Sequence, residues 1–211
     1  MKTMKRKVSG LYAVTPDGLS TEALLEKVSQ ALAGGARIVQ YRQKSGDAIT
    51  HLSQADPLAA LVKARQAIFI VNDAPALARS VNADGVHLGL LDADVAAARA
   101  LLPDKLIGVS CYDDLERAVA AEKAGADYVA FGAAFPSLTK PAAAHASAAL
   151  YREAKQRLSI PIVAIGGITV ANAGALIDAG VAAVAVVSAL FDAEDIAATA
   201  KQFSDLFHKA S

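Results

Sequence analysis

The sequence predicts an α/β fold, a single (β/α)8 TIM barrel, and three observations carry that prediction. Short apolar runs rich in β-branched residues alternate with longer stretches of helical periodicity, and eight such pairs fit within 211 residues. Polar residues collect where the runs end: Ile38-Val39 leads into Gln40, Arg42 and Lys44, Phe69-Ile70-Val71 into Asn72-Asp73, Val86 into His87, Ile107-Gly108-Val109 into Ser110, and Val163-Ala164-Ile165 into Gly166-Gly167. Finally, Thr15-Pro16-Asp17-Gly18 follows the first run, and it lacks the GxGxxG pattern of an open dinucleotide-binding sheet. Eight βα pairs close naturally into a barrel whose ligand mouth lies beyond the strand carboxyl ends. Such a mouth gathers all these polar groups and points to an enzyme.

Each element has its own local justification. The basic start, residues 1–9, is expected to be a loosely attached extension; it is no signal peptide, because Thr15, Pro16, Asp17 and Gly18 interrupt the apolar stretch that should follow. A first strand is expected over Gly10–Thr15, then a helix over Thr21–Ala33 with Ser20 at its N-cap and Gly34-Gly35 closing it. A second strand fits Arg37–Arg42. In Ser45–Gln66, Pro57 interrupts the helical pattern, so a loop and then a shorter helix are expected. Strands three to five fit Ala67–Asp73, Gly85–Leu88 and Leu106–Cys111, with helical periodicity over Val95–Leu102 before the last. The chain then reads as a helix over Asp113–Lys123 capped by Asp113, a strand over Tyr128–Gly132 and a helix over Ser147–Arg157. A strand over Pro161–Gly166, a helix over Val170–Asp178 capped by Thr169, a strand over Ala183–Ser188 and a helix over Ala193–Phe207 complete it. Glycines after the helices, at Gly125 and Gly180 as at Gly35, suit left-handed helix closure.

Composition sets outer limits. The chain is 54% hydrophobic with zero formal net charge, so it can bury a core and has no global attraction for nucleic acid or an anionic membrane. Its most apolar stretch, Val181–Leu190, is far shorter than the roughly 20 residues a helix needs to span a bilayer, and reads as a buried strand. Cys111 is the single cysteine, which rules out an intramolecular disulfide and a thiolate zinc cluster and makes a reducing cytoplasm the simplest home. The expected partners are small molecules, and assembly into a homo-oligomer is compatible with the sequence.

The chemistry-bearing residues sit at the predicted mouth. Gln40, Arg42 and Lys44 are spaced by two and share the face of Ile38, the barrel interior if the strand continues; the alternative is a fraying strand with solvated charges. Inward cations imply an anion supplied from elsewhere. Asn72-Asp73 and Asp92 suit a hard ion such as Mg²⁺, which takes one or two carboxylates and completes its shell with water and phosphate oxygens, although Asp92 also reads as the N-cap of the following helix. His87 alone reads more readily as a satisfied interior histidine than as a catalytic base. Ser137, Thr139 and Lys140 lie on a post-strand loop able to clasp a phosphate, a loop that could equally be merely polar. Gly166-Gly167 and Val187-Ser188 follow the last two strands, where barrel loops offer backbone N–H groups to phosphate; an ordinary tight turn is the alternative. No Ser-His-Asp set or activated nucleophile is evident.

Taken in order, Leu11-Tyr12-Ala13-Val14-Thr15, Val39-Gln40-Tyr41-Arg42-Gln43-Lys44, Phe69-Ile70-Val71-Asn72-Asp73, Ala83-Asp84-Gly85-Val86-His87-Leu88-Gly89, Ile107-Gly108-Val109-Ser110-Cys111, the stretch Phe131 to Lys140, Val163-Ala164-Ile165-Gly166-Gly167-Ile168 and Val186-Val187-Ser188-Ala189 resemble the thiamin phosphate synthase family. The resemblance implies joining of an aminopyrimidine methyl diphosphate to a thiazole phosphate, giving thiamin monophosphate and pyrophosphate with Mg²⁺ as cofactor. It implies Asp73 and Asp92 as metal ligands, Arg42, Lys44, Ser110 and Lys140 as catalytic groups contacting the diphosphate together with Asn72, and Gln40 and His87 facing the pyrimidine. It further implies Ser137, Thr139 and the backbone around Gly167, Val187 and Ser188 on the thiazole phosphate. The chain departs from the family pattern at Leu90-Leu91, where the family often has Gln-Glu, at Tyr112, where it has His, and at Pro16-Asp17, where an Asp directly follows the Thr. A related thiazole tautomerase shares the barrel, but its catalytic His would fall at Tyr112. A sugar-phosphate isomerase or epimerase and a barrel that binds without turnover remain alternatives.

Overall fold

A computed structural model describes residues 7–89, 94–135 and 146–209. The strands are β1 (Gly10–Val14), β2 (Ile38–Tyr41), β3 (Ile68–Asn72), β4 (Gly85–Leu88), β5 (Leu106–Tyr112), β6 (Tyr128–Phe131), β7 (Ile162–Ile165) and β8 (Ala183–Val186). The helices of the described residues are α1 (Thr21–Ala33), α2 (Ala48–Ala64), α3 (Pro75–Ser80), α4 (Val95–Leu101), α5 (Leu115–Lys123), α6 (Ala148–Arg157), α7 (Val170–Asp178), α8 (Ser188–Phe191) and α9 (Ile196–Lys209). All neighbouring strands pair in parallel and β8 returns to β1, Gly10 opposite Ala183, so the sheet is the closed barrel the alternation predicts.

Strand alternation divides the core in two. Tyr12, Val14, Ile38, Ile70, Tyr128 and Val163 belong to a cluster that fills the barrel, while Leu11, Ala13, Val39, Val71, Val129 and Val184 point outward into a second cluster with the helices. Val8 is 2% exposed and packs in the inner cluster, so the chain is anchored ahead of Gly10 and residues 7–9 are not the loose extension expected of 1–9. Gly35, Gly125 and Gly180 take positive φ values of 99°, 97° and 95°, closing α1, α5 and α7 as anticipated.

Three further expectations fail. Ala48–Ala64 is one continuous helix with Pro57 inside it, rather than a loop and a shorter helix. Asp47 caps its start, with Oδ1 accepting from the Thr50 N–H at 2.8 Å, and Gln54, Ala55, Leu58 and Val62 anchor it in the core. Proline removes the bond to the carbonyl of Ser53, and that residue lies on the exposed side where a lost bond costs least. The cap of α5 is Asp114, not Asp113: its Oδ1 accepts from the Arg117 N–H at 2.9 Å. Also, β8 stops at Val186, so that Ser188 opens the one-turn α8 instead of ending a strand.

Candidate active site

The loops after β1 and β2 are stitched together at the mouth. Buried Thr15 accepts from the Arg42 N–H at 2.9 Å and donates to the Arg42 carbonyl at 3.3 Å. Asp17 Oδ1 accepts from the Lys44 N–H and the Ser45 hydroxyl, each at 3.2 Å. Slight burial pushes the Asp17 carboxyl up, but these donors and the Arg42 charge outweigh it and hold the group below its ordinary value. Asp17 therefore fixes the chain that carries Arg42 and Lys44. Alternation ends with Tyr41, however: Gln40 is buried inward, Arg42 is half-buried beyond the strand, and Lys44 is exposed on the loop rather than on the inner face. The ladder stops three residues before Lys44, so of the two readings left open the fraying end with a solvated charge holds there.

Across the rim, Asp73 stands at the end of β3 with φ 54°. Its N–H donates to the His87 carbonyl at 2.8 Å, its Oδ1 accepts from the Gly89 N–H at 2.8 Å, and its Oδ2 accepts from Asn72 Nδ2 at 2.5 Å. The carboxylate is thus oriented by both neighbouring strand ends yet exposed, with one donor on each oxygen among the described residues. Among the described residues no three His, Cys, Asp or Glu side chains converge as a metal cage. One oriented carboxylate beside a carboxamide fits Mg²⁺, which needs few protein ligands and uses substrate phosphates for the rest.

Below the rim lies a hydrogen-bonded chain that crosses the barrel. Gln40 Nε2 donates to Tyr12 Oη at 2.8 Å, Tyr12 and Tyr128 hydroxyls meet at 2.9 Å, Tyr128 Oη lies 3.1 Å from His87 Nδ1, and His87 Nε2 lies 2.9 Å from Ser110 Oγ. The Tyr128 ring stacks on His87 with centroids 5.6 Å apart. Burial pushes the imidazole down to about 4, so His87 is neutral near pH 7, and it pushes both tyrosine hydroxyls well above their ordinary value. Room for Tyr128 comes from Gly108 on β5, where a Cβ would lie 2.0 Å from the ring carbon Cζ. Sequence reading brought Gln40, His87 and Ser110 to one place and missed Tyr12 and Tyr128. The signal was present in the inward register of Tyr12 with Val14 and in the lone glycine of the fifth run.

The far side of the mouth is backbone. Gly166 and Gly167 have φ values of 100° and 64°, a left-handed pair that favours glycine, and a Cβ on Gly166 would fall 2.8 Å from Ala133 Cα. Asn172 holds this turn, its Nδ2 donating to the Gly167 carbonyl at 3.0 Å while its Oδ1 accepts from the Thr169 N–H at 2.8 Å. Val187 and exposed Ser188 follow β8 beside it.

Asp92, Ser137, Thr139 and Lys140 lie outside the described residues. Asp94, not Asp92, caps α4, its Oδ1 accepting from the Ala97 N–H at 2.8 Å, so the capping role considered for Asp92 is filled. Cys111 is no nucleophile: it is fully buried and burial pushes its thiol up to about 12. Among the described residues the site therefore offers positioning, cations and oriented donors rather than an attacking side chain.

Residues 11–190 match the family described as thiamine monophosphate synthase. A thiamine-phosphate synthase of Methylococcus capsulatus is 54% identical over 94% of this chain and 89% of its own length, and one of Chromobacterium violaceum is 54% identical over 97% and 99%. In structure, a thiamine phosphate pyrophosphorylase from Pyrococcus furiosus superposes with a TM-score of 0.86 at 33% identity, covering 95% of this chain and 96% of that one. A 3-hexulose-6-phosphate synthase at 24% identity and a TM-score of 0.70 shares the fold alone.

Proposed function

Because this chain belongs to the thiamine monophosphate synthase family, we propose that it is a transferase joining 4-amino-2-methyl-5-hydroxymethylpyrimidine diphosphate to a thiazole phosphate, with thiamin monophosphate and pyrophosphate as products. The observation that carries this reading is the pairing, at one mouth, of a tethered cationic rim at Arg42 and Lys44 with the oriented carboxylate of Asp73. Cations and a metal-competent carboxylate together suit a diphosphate that must be held and then released.

The bond from the pyrimidine methylene to the diphosphate oxygen breaks with both electrons leaving on oxygen, and a bond forms from the thiazole nitrogen to that carbon. The electron-rich aminopyrimidine stabilises the intervening cation, so no strong general base is needed. Arg42 and Lys44 neutralise the departing charge, Ser110 donates to it, and the barrel holds the two substrates in line. Mg²⁺ held by Asp73 and Asp92 would add charge neutralisation at the diphosphate. Gln40 faces the pyrimidine with its free amide atoms and buried, neutral His87 faces it with its ring, both nitrogens being held by Tyr128 and Ser110, while the Gly167 turn and the backbone at Val187 and Ser188 receive the thiazole phosphate, joined by Ser137 and Thr139. Lys140 completes the diphosphate contacts. Tyr112, exposed at the end of β5, stands where the related tautomerase would carry its catalytic histidine, which disfavours that activity. No described helix is long and apolar enough to cross a membrane, and the lone buried cysteine supports placement in the cytoplasm.

The test is purified protein with both substrates, scored for thiamin monophosphate and pyrophosphate in equal amounts. An isomerase, an epimerase or a silent binder releases no pyrophosphate. Exhaustive chelation should stop turnover and added Mg²⁺ should restore it; undiminished turnover without divalent cations removes the metal from this reading. Gly167→Ala should raise the KM for thiazole phosphate about tenfold, equivalent to about 1.4 kcal/mol, and leave that for the pyrimidine diphosphate unchanged. The left-handed backbone there adds a stability loss of about 1–2 kcal/mol. Equal shifts in both KM values would mean general damage to the mouth.

A further inference from the structure

The donors of the interior chain can be assigned one after another. Gln40 directs Nε2 at Tyr12 Oη, 2.8 Å away, so that oxygen accepts and the Tyr12 hydrogen turns to Tyr128 Oη at 2.9 Å. With its oxygen occupied as an acceptor, the Tyr128 hydroxyl gives its hydrogen to His87 Nδ1 at 3.1 Å. The neutral ring then carries its proton on Nε2 and donates it to Ser110 Oγ at 2.9 Å. Of the hydroxyl and ring hydrogens in this chain, that of Ser110 is the one with no acceptor among the described residues, and Ser110 is partly exposed at the mouth while Tyr12, Gln40, His87 and Tyr128 are buried. All the buried side-chain nitrogen and oxygen atoms of the described residues have partners, so this run of donation leaves no orphan behind it.

We infer that Tyr12 and Tyr128 are positioning residues that impose one direction of donation from Gln40 to Ser110, fixing His87 as the Nε2–H tautomer and turning the Ser110 hydroxyl hydrogen out toward an anionic oxygen of the leaving group. The part concerning the leaving group rests on the synthase reading above. A serine without this constraint could donate back to His87 and present lone pairs to a diphosphate, which would repel it. Turning the Gln40 amide over would reverse the chain, put the proton on His87 Nδ1 and draw the Ser110 hydrogen inward, so the His87 tautomer reports the orientation of that amide. The tyrosines thus act at a distance from the reacting atoms. Gly108 supports this assignment: β5 omits a side chain there and the Tyr128 ring occupies the space.

The experiment is nitrogen NMR on the full chain labelled at histidine, with the His87 signals assigned by their loss in His87→Asn. The expected result is a protonated Nε2 and an unprotonated, hydrogen-bonded Nδ1. A proton on Nδ1, or on both nitrogens, overturns the inference, and this wild-type measurement decides whether or not any variant folds. Tyr128→Phe should give a mixture of tautomers and lower kcat about tenfold with the KM for thiazole phosphate unmoved, the size of one hydrogen bond to a charged group. Tyr128→Phe added to Ser110→Ala should cost little more than Ser110→Ala alone, because Tyr128 acts only through that donor. Tyr151→Phe, which removes another buried hydroxyl at its bond to the Phe131 carbonyl, should change neither tautomer nor kcat. A Tyr128→Phe protein with wild-type tautomer and kcat also overturns the inference. If wild type forms no thiamin monophosphate, the synthase reading fails while the tautomer measurement stands on its own.

Discussion

Asp73→Asn is expected to lower the rate of thiamin monophosphate formation about 100-fold or more while the barrel stays folded. The backbone explains the second half. Asp73 sits at φ 54°, a conformation that asparagine tolerates better than almost any other side chain, and the residue is exposed, so the exchange does not strain the strand end. Its electrostatics explain the first half. The carboxylate accepts from Gly89 on one oxygen and from Asn72 on the other, and an amide must turn its NH₂ toward one of these donors. The variant loses a charge and also the orientation of what remains. Thermal unfolding and product formation measured together check this: a variant that unfolds within a few degrees of wild type and retains wild-type turnover would take Asp73 out of the site.

Gly108→Ala should have the largest effect on stability, about 3 kcal/mol or more, which for a chain of this size lowers Tm by roughly 6–12 °C. The new methyl carbon would lie 2.0 Å from Tyr128 Cζ and 2.4 Å from its hydroxyl oxygen. The ring cannot retreat, being stacked on His87, set edge-on to Tyr12 at 6.2 Å and bonded to both. Turnover should fall as well, because the displaced ring takes His87 with it. Pairing Gly108→Ala with Tyr128→Val should recover much of the Tm but not the turnover. If the single variant melts like wild type, the interior is looser than this packing implies.

The barrel was legible because closure depends on a pattern that every βα pair repeats, and the strands lie within two residues of their predicted ends. What escaped were features decided between elements. Pro57 reads as a helix breaker, but the packing of Leu58 and Val62 and the cap at Asp47 carry the helix through it. Asp113 and Asp114 are equally good caps by type, and only the placement of Leu115 in the core chooses between them. At the mouth, residue types at strand ends picked out Gln40, Asn72, Asp73, His87 and Ser110, which the barrel does place at the ends of β2 to β5. Tyr12 and Tyr128 looked like ordinary core aromatics because their partners lie 28 to 116 residues away in sequence. For Lys44 the structure selects the fraying alternative, because period-two reasoning holds only as long as the strand does.

The pairing of β8 with β1 bears on how this protein emerges from the ribosome. Gly10 through Ala13 must wait for Ala183 through Val186 before the first strand has both neighbours. The helices impose the same delay: Lys27 on α1 donates to the Phe191 carbonyl at 2.8 Å, and Ser204 on α9 reaches back to the Gly34 carbonyl at 3.3 Å. Throughout synthesis the nascent chain therefore carries an open sheet edge at its oldest segment, the kind of edge that recruits foreign strands. Truncation before residue 183 should yield aggregation or chaperone dependence rather than a smaller soluble barrel, and a nascent chain arrested at that length should show its first strand exposed to protease.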